Sequence, residues 1–195
     1  MKALFLIFLL PLALFAQAQF SFEGEVLQFS LTRGSATADT LLWSVTGDYY
    51  FSNMHEAPLS RVIWFPVPSD ATMDKAEILE LCLIEPSDSM WVELVNHTDQ
   101  GFSFRLDLPP ASFAKLRLHY TQKISGKEAR YVLLTANSWG RSLPTSEITL
   151  DLDSTIEPVY LSYAHDAVRK NDKPYSYFWS FTDFVPDEDF VIRFK

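Results

Sequence analysis

The segment "FSFRLDL", residues 102–108, alternates apolar and polar residues with a period of two along its whole length. Its apolar members are Phe102, Phe104, Leu106 and Leu108. Its polar members are Ser103, Arg105 and Asp107. Successive side chains of a β-strand point to opposite faces, so this pattern is typical of a strand with one buried face and one wet face.

The same alternation recurs over most of the chain and predicts about a dozen short strands. Three further clear cases are "AKLRLHYTQ" (114–122), "SEITLDL" (146–152) and "DFVIRF" (189–194). Weaker candidates lie at 22–31, 40–51, 61–67, 76–84, 90–96, 130–135, 158–164 and 175–182. The spacers between them, such as "LPPAS" and "NHTDQG", are short and rich in turn residues.

No segment shows sustained helical spacing, and only "DATMDKAEILEL" (70–81) predicts one short helical turn before its strand. We therefore predict an all-β fold, a two-sheet antiparallel β-sandwich of immunoglobulin-like or jelly-roll-like type. A single domain over residues 19–195 is favoured, with a two-domain division near "LPPAS" as the minor alternative.

The N-terminus, "MKALFLIFLLPLALFAQAQF", has the pattern of a secretory signal peptide. Lys2 precedes an apolar run over residues 3–16, and Ala16 and Ala18 supply the small residues that signal peptidase reads. We expect a bacterial signal peptide at residues 1–18, cleavage before Gln19, and a periplasmic or secreted protein without stable membrane insertion. The alternative, a membrane anchor, needs about 20 apolar residues, and this run is shorter.

The composition limits the partners of the chain and the role of its cysteine. A net charge of −9 argues against nucleic acid and anionic membranes, which require basic patches. Cys82 is the single cysteine, so an internal disulfide is excluded. Its place in the alternating run "LELCLIE" predicts a small buried hydrophobic residue rather than a nucleophile.

No motif predicts a catalytic residue, a metal or a cofactor. The four histidines are scattered without the spacing that metal sites use, and we interpret them as ordinary surface residues. They are His55, His97, His119 and His165. The acidic segments "DLDST" and "DFVPDED" lack the spacing of a calcium loop and are interpreted as solvated turns.

Aromatic and basic residues supply the candidate binding residues: Trp139, Arg141, Tyr175, Tyr177 and Trp179. Trp139 follows the strand candidate at 130–135 and precedes Gly140, which permits a backbone conformation that other residues resist. We favour a core role for Trp139, with Asn137 and Ser138 fixing its loop through side-chain to backbone hydrogen bonds. In "KPYSYFWSFTDF" (173–184) the row that contains Trp179 is predicted to face the core, with a sugar-binding platform as the alternative.

Several short motifs resemble a loose group of exported bacterial β-sandwich proteins of unknown function. These are "TGDYYFSN", "WFPVP", "LHYTQ" with Tyr120 and Gln122, the turn "LTANSW" followed by a proline, and the closing "FVPDEDFVIRF". The resemblance implies the sandwich fold and export, and it brings no catalytic residue.

Two functions from different classes remain at this point. The first is a non-catalytic exported module for protein interaction or envelope structure, whose partner is another exported or surface protein. The alternative is a carbohydrate-binding module that stacks a glycan on two or more exposed, coplanar aromatic side chains. Enzyme activity ranks third.

Overall fold

The computed structural model describes residues 20–34, 40–84, 89–170 and 175–195. The predicted signal peptide and its cleavage site lie outside these residues. The strands are β1 (Phe20–Arg33), β2 (Leu41–Asn53), β3 (Leu59–Pro66), β4 (Glu77–Ile84), β5 (Ser89–Trp91), β6 (Leu94–Thr98), β7 (Gly101–Leu108), β8 (Ser112–Ile124), β9 (Glu128–Tyr131), β10 (Leu143–Leu152), β11 (Pro158–Leu161), β12 (Ala167–Lys170), β13 (Tyr175–Phe184) and β14 (Phe190–Phe194). A six-residue 3-10 helix spans Leu134–Trp139.

The strands form one eight-stranded sheet and two three-stranded sheets. The large sheet has the order β12-β13-β10-β1-β2-β8-β4-β5, and the small sheets have the orders β3-β7-β6 and β11-β14-β9. Neighbouring described strands are antiparallel except for the central pair β1 and β10, which is parallel.

Both small sheets pack on the same face of the large sheet, and the core lies between the two layers. This inner face carries Leu27, Phe29 and Leu31 of β1, all at most 1% exposed. The ring of Phe29 lies 5.0 Å from that of Phe190 in one small sheet. In the other, the ring of Phe65 lies 5.5 Å from that of Tyr49 on β2. The predicted all-β sandwich is therefore confirmed.

In detail, the second layer consists of two small sheets where one sheet was expected. One small sheet consists of β3, β6 and β7 and the other of β9, β11 and β14, and no described strand of one pairs with a strand of the other. An eight-stranded sheet is wider than either three-stranded sheet, so two are needed to cover it.

Other predicted elements need correction at particular residues. The candidate strand at 130–135 ends at Tyr131, because the carboxylate of Asp189 accepts hydrogen bonds from the backbone N–H groups of Leu133 and Leu134 and turns the chain into the 3-10 helix. The helical turn predicted within 70–81 is wrong. The carboxylate of Asp70 instead accepts hydrogen bonds from the N–H groups of Thr72 and Met73 and forms a local turn.

The candidate at 90–96 is divided between β5 and β6, and β12 was not predicted. Within the described ranges, no helix is long and apolar enough to cross a membrane.

Candidate ligand cavity

A cavity of about 440 Å³ lies at the gap between the two small sheets. Its floor is formed by inner-face residues of β1, β2 and β8. One wall is residues 61–66 of β3, and the opposite wall is residues 131–139, from the end of β9 through the 3-10 helix. The volume is within the range of small-molecule binding sites.

A β-bulge in β1 determines which side chains reach the floor. Phe22 pairs with Phe51 of β2 and Gly24 pairs with Tyr50, so Glu23 is an extra residue in the ladder. The extra residue shifts the alternation by one position. Phe22 and Glu25 consequently both face the cavity, although three positions separate them.

Four aromatic rings form one end of the cavity, and we call them the aromatic cluster: Phe20, Phe22, Phe51 and Trp139. The indole of Trp139 lies 5.4 Å from the ring of Phe20, 5.6 Å from that of Phe22 and 5.9 Å from that of Phe51. Trp139 is half-buried and packs on the core at one side, as predicted, while its other side lines the cavity.

The 3-10 helix that carries Trp139 is fixed at both ends. Asp189 holds its start, and Gly140 ends it with a left-handed φ of 71°. The side-chain amide of Asn137 donates to the carbonyl of Pro186 at 2.9 Å, and the hydroxyl of Ser138 donates to the carbonyl of Thr135 at 2.7 Å. The predicted roles of Gly140, Asn137 and Ser138 are thus confirmed, and the indole has a rigid support.

Glu25 is a carboxyl group on the cavity floor, in the middle of an otherwise apolar layer. The residue is 4% exposed, and it accepts a hydrogen bond from the hydroxyl of Ser146 on β10 at 2.9 Å. Burial raises the pKa of Glu25 to about 7, although the hydrogen bond from Ser146 acts in the opposite direction.

Two tyrosines add polar groups to the cavity, Tyr49 on the floor and Tyr131 at the start of the opposite wall. The hydroxyl groups of Tyr49 and Tyr131 are hydrogen-bonded to each other at 2.9 Å. Burial, and then the nearby carboxylate of Glu25, raise the pKa of Tyr49 well above its ordinary value. Gly47 makes room for this arrangement, because the ring of Tyr49 occupies the space that a Cβ atom at Gly47 would fill.

Arg141 lies just beyond the 3-10 helix and ties this segment to β1. Its Nη2 donates to the carbonyl of Phe22 at 3.0 Å and to the carboxylate of Glu23 at 2.8 Å. Burial tends to raise the pKa of Glu23, but hydrogen bonds from Ser21, Ser52 and Arg141 outweigh it and leave that pKa lowered. Arg141 therefore positions the cavity wall and is not among the residues that line it.

The other aromatic candidates lie elsewhere. Trp179 is 2% exposed, its ring lies 5.0 Å from that of Phe190, and its indole N–H donates to the carbonyl of Tyr163. Its predicted core position is confirmed. Tyr175 and Tyr177 are half-buried on the same strand, and none of these three side chains lines the cavity.

Cys82 is 2% exposed, as predicted, but it lies on the outer face of the large sheet beside Arg117. Its thiol donates to the carboxylate of Glu80 at 3.1 Å. Burial, and then that hydrogen bond, raise the pKa of Cys82 to about 11, which removes the thiolate that a nucleophile requires. Across the described residues, no group of three His, Cys, Asp or Glu side chains is placed to hold a metal ion.

Sequence reasoning missed Glu25, the buried acid of this site. The sequence does contain a pattern that indicates it. Every second residue of this part of β1 is buried, namely Glu25, Leu27, Phe29 and Leu31, so the carboxylate lies in line with the core residues. The inward orientation of Phe22 could not be predicted from the same alternation, because the bulge at Glu23 interrupts it.

No model of a protein family matches the sequence, and no curated protein matches it. Solved structures do resemble it in fold. A protein of Legionella pneumophila proposed to bind a nutrient has a TM-score of 0.62 at 12% identity, over 89% of this chain and 66% of that one. The M1 zinc metallopeptidase of Deinococcus radiodurans has a TM-score of 0.52 at 14% identity, over 91% of this chain and 43% of that one.

At such low identities the likeness concerns the fold alone. The chain spans 66% of the length of the first neighbour and 43% of the length of the second. The comparisons therefore give structural neighbours and no family.

Proposed function

We propose that this chain is a non-catalytic binding module, and that the cavity beside Trp139 holds a small molecule with an apolar or aromatic body. The observation that carries the proposal is the cavity itself, where aromatic walls enclose a few polar groups on the floor. That combination is typical of small-molecule sites. The rigid support of the 3-10 helix favours binding further, since a preformed wall lowers the entropic cost of association.

One structural neighbour supports a binding role. The Legionella neighbour is itself proposed to bind a nutrient. In both neighbours the matched fold is only part of a longer chain.

Interaction with another exported protein is the second candidate function. It is favoured by the edge strand β5 of the large sheet, where Met90 is 59% exposed and Trp91 is 70% exposed. An open edge of this kind accepts an added strand from a partner.

We also propose that the protein is exported to the periplasm or the medium. N-terminal sequencing of the exported protein should then begin at Gln19. A chain that retains Lys2 in the membrane fraction would contradict export.

The test of the cavity is a variant that fills it. Ala136 lines the cavity on the 3-10 helix, and Ala136→Phe should abolish the binding of small aromatic probes, measured by ligand-observed NMR. The matched control is Ala164→Phe, at an exposed position outside the cavity, which should leave binding unchanged. Equal binding by both variants would contradict the proposal. Binding of sugars but not of aromatic probes would favour the carbohydrate-binding alternative instead.

A further inference from the structure

Glu25 occupies a position where an apolar side chain would be more stable. Its inner-face neighbours along β1 are Leu27 and Phe29, and its neighbour across β2 is Tyr49. Burying a carboxylate costs several kcal/mol unless a charge and hydrogen bonds compensate it. The hydroxyl of Ser146 compensates one oxygen in part and supplies no charge.

The elements around Glu25 do not provide the missing positive charge. Facing it are Ser146 from β10, Tyr49 from β2 and Tyr131 from β9, all of them uncharged at neutral pH. Among the described residues that line the cavity, Arg61 is the one basic side chain. Arg61 is exposed at the mouth, where its guanidinium donates to the carbonyl of Ser60 at 3.2 Å. The floor is therefore acidic.

We propose that the cavity selects a small organic ammonium ion, with the carboxylate of Glu25 as its counter-charge and the aromatic cluster around its body. This inference rests on the proposed function, and it adds the chemical class of the ligand. An ammonium group supplies both the charge and the hydrogen-bond donors that Glu25 lacks. Phe22, Phe51 and Trp139 line the cavity together with Glu25, and aromatic rings attract cations that lie over them within about 6 Å of their centres.

The proposal predicts an order among three probes of similar size. Phenethylamine carries a positive charge, phenethyl alcohol is neutral and phenylpropionate is negative. At pH 8, where Glu25 is ionised, the amine should bind at least about tenfold more tightly than the alcohol, since a charged hydrogen bond adds over 1.4 kcal/mol. The anion should bind most weakly, and calorimetry on the full protein would measure all three.

The pH dependence of amine binding gives a second measurement that needs no variant. The amine stays protonated from pH 5.5 to pH 8, so the titration of Glu25 controls the change. The amine affinity should fall by up to about 30-fold between pH 8 and pH 5.5, which is the factor by which the ionised fraction of Glu25 falls. The alcohol affinity should stay nearly constant over the same range.

Glu25→Gln should remove the preference for the amine and its pH dependence. The matched control is Glu147→Gln, which removes the same charge from an exposed position on the opposite face of the large sheet. Equal binding of amine and alcohol by the wild-type protein would overturn the ammonium assignment and leave the small-molecule site intact. Preference for the anion would overturn it in favour of Arg61. Failure of all three probes to bind would overturn the assignment and the proposed function together.

Discussion

The hydroxyl of Ser146 reaches the carboxylate of Glu25 across the parallel pair of strands at the centre of the large sheet, at 2.9 Å. The two residues are direct register partners, and Glu25 also pairs with Tyr49 on its other side, so the three residues form one row of the inner face. This row is the polar part of a layer that is otherwise apolar. We expect the stability of the fold and the selectivity of the cavity to depend on this row.

The free energy of unfolding should depend on pH through Glu25. Below pH 4.5, the ordinary pKa of a glutamate, the group is protonated in both the folded and unfolded states. Between pH 4.5 and about 7 the unfolded state loses its proton first, so the folded state loses stability as pH rises. The loss should approach roughly 3 kcal/mol above pH 7.

Urea unfolding of the wild-type protein and of Glu25→Gln, at several values between pH 5 and pH 8, measures this effect. The difference between the two proteins isolates Glu25 from the other titrating groups. A difference that does not change with pH would show that Glu25 is solvated in the folded state.

Substitutions of Trp139 and Trp179 should have different effects on probe binding and on the free energy of unfolding. Trp179→Ala should cost about 3–5 kcal/mol, because it removes a fully buried indole, and should leave probe binding unchanged in the folded fraction. Trp139→Ala should cost less than about 3 kcal/mol, since its indole is half-buried, and should abolish probe binding. Urea unfolding and calorimetry on both variants test the pair, and the reverse result would assign the wrong tryptophan to the cavity.

Gly47→Ala should disturb the cavity floor without touching the ligand. The added methyl group would overlap the ring of Tyr49, which must move and break its hydrogen bond with Tyr131. We expect a loss of about 1–3 kcal/mol in the free energy of unfolding, as for other overpacked cores. In a Tyr49→Ala background the same substitution should cost much less, and equal costs in both backgrounds would show that the ring is not the obstacle.

The thiol of Cys82 should be inert in the folded protein. Its burial and its pKa of about 11 keep it protonated, so labelling by a disulfide reagent at pH 8 should require unfolding. Cys82→Ala should cost about 1 kcal/mol, the order expected for one small buried group, and should not change probe binding. Rapid labelling of the native protein would contradict this.

The strands of the fold could be predicted because burial of one face imposes a period of two. "FSFRLDL" became β7, and its four apolar residues are at most 3% exposed. β12 could not be predicted from this period, since Ala167–Lys170 is a four-residue edge strand whose residues 167–169 are all exposed, so that no buried alternation marks them. The 3-10 helix also escaped prediction, because Asp189, which starts it, lies more than 50 residues further along the chain.

The candidate site was predictable only in part. Trp139 could be singled out, and its core contacts anticipated, because a large indole beside a glycine at a turn stands out in the sequence. The cavity next to it depends on how two small sheets share one large face, which is a matter of tertiary packing. Glu25 could have been found as an acid in the buried phase of β1, whereas its meeting with Ser146 required the parallel pairing of two strands 121 residues apart.

That pairing also sets the order in which the molecule is assembled. β1 can pair with β2 soon after synthesis, because only a short connection separates them. The other edge of β1 has no strand to pair with until β10 has been synthesised. Pairings between distant segments close slowly, and a long unpaired edge is the part of a nascent β-protein most prone to association with other chains. Trp139 and Ser146 both belong to this late part of the chain. A chain interrupted before it therefore lacks the cavity wall at residues 131–139 and the hydrogen-bond partner of Glu25 on the floor. Occupancy of the cavity would therefore distinguish finished molecules from partly folded ones.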